Sequence, residues 1–178
     1  MSSFDSTSDE DLVQMVLADN QNAFEEIVNR WEKPILRYTA RLLNFHPQDA
    51  EDVTSEVFFK AYKNLASFKP SLKFSSWLYR IAHNAAVNLI RDKSKLFYVD
   101  IETFWSVPTK FKDDVKLTHG ELEQVLEKLN PDDRNLLILF HLEEKSLREI
   151  SDIVKLTENT VAVKLKRARI KARKFLKV

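Results

Sequence analysis

The chain contains one glycine, Gly120, among 178 residues. Glycine supplies the left-handed backbone of tight hairpin turns, so a chain with a single glycine is poorly suited to a sheet with many hairpins. The same count excludes a P-loop and a dinucleotide-binding fingerprint, each of which needs several glycines. The sequence therefore predicts an all-α protein.

The chain also lacks cysteine, which excludes disulfides and thiolate metal sites. Residues 1–20 are acidic and polar and contain no apolar segment like that of a signal peptide. The longest apolar run, Leu136–Phe140, is far too short to cross a bilayer. These features predict a cytoplasmic protein without membrane insertion.

Two groups of predicted helices flank a stretch that lacks helical periodicity. In the first group, Pro34 is expected to kink or interrupt the second helix and Pro47 to open the third. The central stretch mixes acids, aromatics and Pro108, and we expect it to be a flexible linker. We therefore predict two small helical domains joined by a linker, with the bounds 1–95, 96–117 and 118–178.

The charges are strongly segregated, although the net charge is only +1. Residues 57–95 carry eight Lys or Arg and one acid, and residues 159–178 carry eight Lys or Arg and no acid. The other two parts of the chain are acidic. Two separate basic blocks favour two separate contacts with nucleic acid. The alternative is that each block is a solvated helix face.

The sequence from Ser146 to Arg173 has the pattern of a helix-turn-helix. Ser146 and Glu149 form a predicted capping box for a short helix, and Thr157 can cap the basic helix that follows. The first part of such a second helix reaches base edges, where Lys and Arg bond guanine or phosphate and Thr and Val contact thymine methyls. An ordinary helical hairpin is the alternative. That part comprises Asn159 and the predicted DNA contacts Thr160, Ala162, Val163, Lys164, Lys166 and Arg167.

The first basic block interleaves cations with aromatic residues, a pattern that suits single-stranded nucleic acid, where exposed bases can stack. Phe68, in a loop beside Pro70, is the better aromatic candidate for a base contact, whereas Phe74 lies on an apolar stripe and fits the core, and Trp77 fits either role. Asn can also bind adenine bidentately. The predicted contacts are Phe68, Lys69, Lys73, Trp77, Arg80, Asn84, Asn88 and Arg91.

A third surface is predicted on the helix over residues 49–64. Its polar face carries an aromatic residue, which is typical of a protein contact. The alternative is a solvated acidic face with one stray Phe. The members of this face are Asp52, Ser55, Glu56 and Phe59.

Catalytic motifs are missing from the sequence. None of the four histidines lies in a His-Glu-x-x-His or Glu-x-x-His motif, and no nucleophile turn is present. We therefore expect no enzyme activity, no metal site and no cofactor.

Three segments resemble known motifs. The segment Ala50–Phe58 resembles the helix by which bacterial sigma factors hold RNA polymerase, and Phe74–Asn84 resembles their promoter-melting and minus-ten segment. Glu149–Ala168 resembles their C-terminal helix-turn-helix. In this order, the three identify the chain as similar to an extracytoplasmic-function sigma factor, the small type with only the second and fourth sigma regions.

The resemblance implies a factor that directs core RNA polymerase to promoters and assists promoter melting. It implies that Asp52, Ser55, Glu56 and Phe59 face the clamp helices of the polymerase. It also implies that the Phe68–Lys73 loop captures a flipped base of the minus-ten element. Arg80, Asn84, Asn88 and Arg91 would hold the melting strand and its upstream duplex, and the contacts on the last helix would lie on the minus-thirty-five element. The linker would run through the polymerase channel near nascent RNA, and an anti-sigma factor is an implied partner.

The chain departs from the family pattern at three places. Lys155 stands where the turn usually has Gly, Ser55 stands where Gln is common, and Ala162-Val163-Lys164 replaces a frequent Lys-Ser-Arg. The last change suggests a different promoter preference. Two other functions stay open from the residues: a homodimeric helix-turn-helix regulator that acts without polymerase, and a helical enzyme or interaction scaffold.

Overall fold

The computed structural model describes Phe4, residues 6–96 and residues 118–176. The predicted linker therefore lies outside the described residues, apart from its first residue. The described parts of the chain consist of helices joined by turns and short irregular connections and contain no strand, so the all-α prediction is confirmed. The α-helices are α1 (Asp9–Leu17), α2 (Gln21–Leu42), α3 (Pro47–Asn64), α4 (Phe74–Leu96), α5 (His119–Leu126), α6 (Pro131–Leu137), α7 (Leu147–Val154) and α8 (Glu158–Leu176).

Contacts between Cα atoms divide the chain into two compact units, residues 1–86 and 87–178, here called the N-terminal and C-terminal units. Two helical units agree with the predicted architecture. The division falls inside α4, at Ala86, and not at the predicted end of the first domain. The exact domain bounds 1–95 and 118–178 stay a prediction.

Helix α2 runs without interruption through Pro34, although the sequence predicted a kink or a break there. Proline removes one backbone donor from a helix and normally destabilises it. The buried stripe of α2 continues on both sides of the proline, with Ile27, Ile35 and Tyr38 fully buried. Packing of this stripe offsets the lost hydrogen bond. Pro47 begins α3, as predicted.

Polar contacts fix the N-terminus of the first unit against its helices. The guanidinium of Arg30 donates to the carbonyl oxygens of Phe4 (2.6 Å) and Thr7 (2.8 Å) and to the carboxylate of Asp9 (3.1 Å). Glu10 accepts a hydrogen bond of 2.8 Å from the backbone N–H of Phe74, at the first turn of α4. Because a carboxylate at a helix N-terminus is favourable, this bond fixes where α4 begins.

The C-terminal unit packs α5, α6 and α7 against α8. A buried arginine, Arg134, joins α6 to the end of α5: its guanidinium donates to the carbonyl oxygens of Leu126 and Leu129, each at 2.8 Å. These carbonyls lie at the end of α5 and just after it, where the regular bonding of a helix interior stops and side chains can satisfy the carbonyl oxygens. Burial lowers the pKa of Arg134 from its ordinary value. A short π-helical segment, Ile138–Leu142, follows α6.

Candidate nucleic-acid interface

The helix-turn-helix forms as the sequence predicts. Ser146 and Glu149 make a complete capping box at the start of α7, with N–H to oxygen distances of 3.0 and 3.2 Å. The backbone N–H of Thr160 donates to the hydroxyl of Thr157 at 3.2 Å, which caps α8. Between the two helices, Lys155 adopts the left-handed conformation, with φ 58° and ψ 41°. The turn thus has left-handed backbone at Lys155, the position where such a turn usually has glycine.

Helix α8 buries one face and exposes the other. Val161, Leu165, Ala168 and Ala172 are buried against the other helices of the unit. On the opposite face, 45% of Val163 is exposed. The predicted DNA contacts all lie in the first half of this helix and are at least partly accessible: Arg167 is exposed like Val163, and Thr160, Ala162, Lys164 and Lys166 are half-buried.

Two cations of α8 have structural partners inside the unit. Arg169 donates from Nε to Nε2 of His141 at 3.0 Å, and its guanidinium carbon lies 4.6 Å from the ring centroid of Phe140. The ammonium of Lys171 pairs with the buried carboxylate of Asp133. As members of the basic block over residues 159–178, both were expected to meet nucleic acid or solvent. The sequence did contain a sign of this packing, because both cations lie beside the apolar stripe of α8 and a long side chain at such a position can reach a neighbouring helix.

A polar surface runs along α4, on the side away from its buried residues. Arg80 is half-buried, and Asn84, Asn88 and Arg91 are exposed. Spacings of four, four and three residues keep these side chains on one side over about 16 Å of helix. Lys69 and Lys73 are exposed in the loop that precedes α4. The structure therefore leaves all six of these predicted contacts accessible to a ligand.

Phe68 and Trp77 lie in the core, and this corrects the prediction that they offer rings to a base. Only 6% of Phe68 and 8% of Trp77 is exposed. Their ring centroids are 5.6 Å apart, and each lies 5.7 Å from that of the fully buried Phe74. A 3₁₀ turn over Leu65–Ser67 ends at Phe68, whose N–H donates to the Leu65 carbonyl at 3.0 Å. The sequence could not show this inward direction.

The outer face of α3 carries the predicted protein-contact residues. Asp52, Ser55 and Glu56 are exposed, and 59% of Phe59 is exposed. The ammonium of Lys63 lies 4.3 Å from the centroid of the Phe59 ring, a cation–π contact. Tyr62, one turn along the helix from Phe59, is also exposed, and its ring packs edge-on against Phe24 at 4.9 Å. Tyr62 was not among the predicted protein contacts, although its three-residue spacing from Phe59 is visible in the sequence.

Comparison with known proteins identifies both halves of the chain. The model of Sigma-70 region 2 matches residues 27–96, and that of Sigma-70, region 4, matches residues 119–171. The ECF RNA polymerase sigma factor SigW of Bacillus subtilis (strain 168) is 33% identical over 180 residues, which cover 93% of this chain and 95% of that protein. The chain belongs to the ECF RNA polymerase sigma factors. The ECF RNA polymerase sigma-E factor of Escherichia coli (strain K12) is 30% identical over 175 residues, 91% of each chain.

Solved structures agree with this fold. CnrH, solved in complex with the cytosolic domain of CnrY, has a TM-score of 0.71 at 24% identity, covering 95% of this chain and 97% of that one. The sigma factor RpoE of Bartonella quintana, solved in complex with the anti-sigma factor NepR, has a TM-score of 0.67 at 21% identity, covering 87% of this chain and 97% of that one.

As an ECF sigma factor, the protein directs RNA polymerase to specific promoters and takes part in transcription initiation. Core polymerase and promoter DNA are its partners. Across residues 6–96 and 118–176, no helix is both long enough and apolar enough to cross a membrane.

Proposed function

We propose that this ECF sigma factor divides its work among three surfaces. The outer face of α3 binds the polymerase clamp, the loop at residues 68–73 with the polar side of α4 engages the minus-ten element, and the first half of α8 engages the minus-thirty-five element. The observation that carries the proposal is that each surface is accessible on a helix whose opposite face is buried.

The polymerase surface is supported by the exposure of aromatic side chains. Phe59 and Tyr62 are exposed one turn apart, on a face whose other members are polar or acidic. Burying a large aromatic side chain against a partner is worth about 1.5–3 kcal/mol, and aromatic residues are enriched at the centres of protein interfaces. The pair Glu56–Lys60, 2.5 Å apart, lies beside Phe59 and provides charges for the rim.

In the proposed minus-ten surface, the buried rings of Phe68 and Trp77 do not contact bases themselves. Phe68 and Trp77 form the base of the loop with Phe74, and this packed cluster supports the backbone from Lys69 to Lys73. We infer that the exposed members of the loop meet the unpaired strand. The amides of Asn84 and Asn88 and the guanidinium groups of Arg80 and Arg91 hold bases and phosphates along α4.

The minus-thirty-five surface is the exposed, basic half of α8. Lys164, Lys166 and Arg167 provide positive charge for phosphates and guanine edges, and Thr160, Ala162 and Val163 fill the space between them. Arg169 and Lys171 belong to the framework of the unit and take no part in DNA contact.

In this proposal the protein catalyses no reaction, because the polymerase performs the chemistry and the sigma factor supplies selective binding. It acts in the cytoplasm, where polymerase and promoters are found. We further propose that an anti-sigma factor holds it inactive, as NepR binds the Bartonella quintana sigma factor that shares its fold.

The test is reconstitution of the full chain with core RNA polymerase. We expect the two to co-elute and to initiate transcription from a subset of a promoter library. Failure to associate would favour a homodimeric regulator that acts without polymerase, and would refute the proposal. Absence of any salt-dependent DNA affinity would instead favour a scaffold or a helical enzyme.

A matched pair of variants tests the α3 surface. Phe59→Ala is expected to reduce co-elution with core polymerase while leaving the fold intact, because the ring packs against little of its own unit. Leu17→Ala removes another exposed apolar side chain, 48% exposed on α1 and outside the proposed surface. An equal loss of association in both variants would contradict the assignment of α3.

A further inference from the structure

One line of side chains follows the outermost side of α8. Asn159, Val163 and Arg167 are spaced four residues apart, are all exposed, and lie opposite the buried residues Val161 and Leu165. From the first to the last, this line covers about 12 Å of helix. That length matches three to four base pairs at about 3.4 Å per pair.

The central residue of the line is apolar, although its surroundings are basic. Val163 is 45% exposed, and Lys164, Lys166 and Arg167 follow it on the same half of the helix. A duplex offers partners for both kinds of group, since phosphates attract the cations and the major groove carries the C5-methyl of thymine. A β-branched side chain on a helix is held in essentially one rotamer, so its methyl groups meet a partner with little loss of entropy.

We propose that Val163 selects a thymine in the minus-thirty-five element by contact with its C5-methyl group. The proposal rests on the proposed function of α8 and identifies the chemistry that gives this chain its promoter preference. The amide of Asn159 and the guanidinium of Arg167 lie one turn to either side, so the thymine is flanked by positions suited to adenine and guanine. Ala162 is half-buried and less able to take this role.

The experiment begins with the holoenzyme, made from the full chain and core RNA polymerase. A promoter duplex with a randomised upstream element is selected for binding. Each thymine of the enriched element is then replaced by uracil, which removes only the C5-methyl. Wild-type affinity is expected to fall about fourfold at one position, the effect of one buried methyl group.

The variant Val163→Ala completes a double-mutant cycle. It is expected to bind the thymine duplex about fourfold more weakly than wild type, and to show no further loss on uracil substitution at that position. The control is Leu156→Ala, which truncates an exposed apolar residue just before α8 and should keep the full preference for thymine.

Several outcomes would overturn the proposal. The proposed methyl contact would be refuted if the enriched element contained no thymine. It would also be refuted if uracil substitution lowered the affinity equally for wild type and Val163→Ala. Either result would leave DNA binding by α8 intact. A loss of polymerase binding by Val163→Ala in the absence of DNA assigns the side chain to a protein contact. If no upstream element is enriched at all, the proposed function of α8 fails, and this inference fails with it.

Discussion

The left-handed residue in the turn of the helix-turn-helix allows a direct test of the backbone geometry. Lys155 has φ 58° and ψ 41°. This conformation costs a residue with a Cβ about 1–2 kcal/mol, whereas glycine adopts it freely but loses about 0.5–1 kcal/mol more entropy on folding. The difference predicts that Lys155→Gly stabilises the C-terminal unit by about 0.5–1 kcal/mol.

Native-state amide hydrogen exchange in α8 measures this gain. Two of the three tryptophans, Trp31 and Trp77, belong to the N-terminal unit, so their fluorescence reports the stability of that unit and not that of the C-terminal unit. The backbone amides of the buried residues Val161 and Leu165 lie inside α8 and exchange when the C-terminal unit opens. Lys155→Gly is expected to slow their exchange about two- to fivefold.

Two further variants separate the backbone effect from the loss of the side chain. Lys155→Ala removes the same ammonium group but keeps Cβ, so it should give no such gain. Glu144→Gly relieves a second left-handed residue of the same unit, with φ 51°, and should slow exchange by a similar factor. Equal exchange rates in Lys155→Gly and Lys155→Ala would refute the reasoning.

Three other predictions follow from the described contacts. Arg167→Ala should lower the slope of log affinity against log salt concentration by about one, whereas Lys171→Ala, which loses an ion pair inside the unit, should leave it unchanged in a salt series of promoter binding. Hydrogen bonds from the backbone N–H and the hydroxyl of Thr118 hold the pKa of Glu121 below its ordinary value of 4.5. The capping bond therefore stabilises the fold fully above that pH, and this contribution is lost as the pH falls through the lowered pKa. The destabilisation caused by Glu121→Gln should accordingly shrink on acidification, as measured by urea titrations. Phe74→Ala should lower the free energy of unfolding by about 3–5 kcal/mol, whereas the exposed Phe59→Ala should change it by less than about 0.5 kcal/mol, as measured by tryptophan fluorescence in urea.

Local signals in the sequence predicted the helices and their starts. Pro47 begins α3, and the capping box of Ser146 and Glu149 opens α7, because both signals act within one turn of the chain. The interruption allowed for at Pro34 does not occur, since the packing of the buried stripe of α2 outweighs the lost hydrogen bond.

The accessible residues on α3, α4 and α8 also follow from periodicity, because a helix places every third or fourth residue on one side. The aromatic residues at the start of α4 do not. Phe68 and Trp77 have cations nearby in the sequence, as aromatic residues at a nucleic-acid contact do, and only their packing around Phe74 shows that they belong to the core.

The sequence by itself thus determined the helical class, the division into two units, the helix-turn-helix and the family. These properties depend on helical periodicity, capping residues and short motifs. Only the tertiary structure decided which of several similar side chains face solvent and which face a neighbouring helix. Lys171 and Arg167 are both cations of α8, yet one reaches a buried carboxylate and the other reaches solvent. The physical reason is that a side chain's surroundings depend on residues distant in sequence, about which local patterns carry no information.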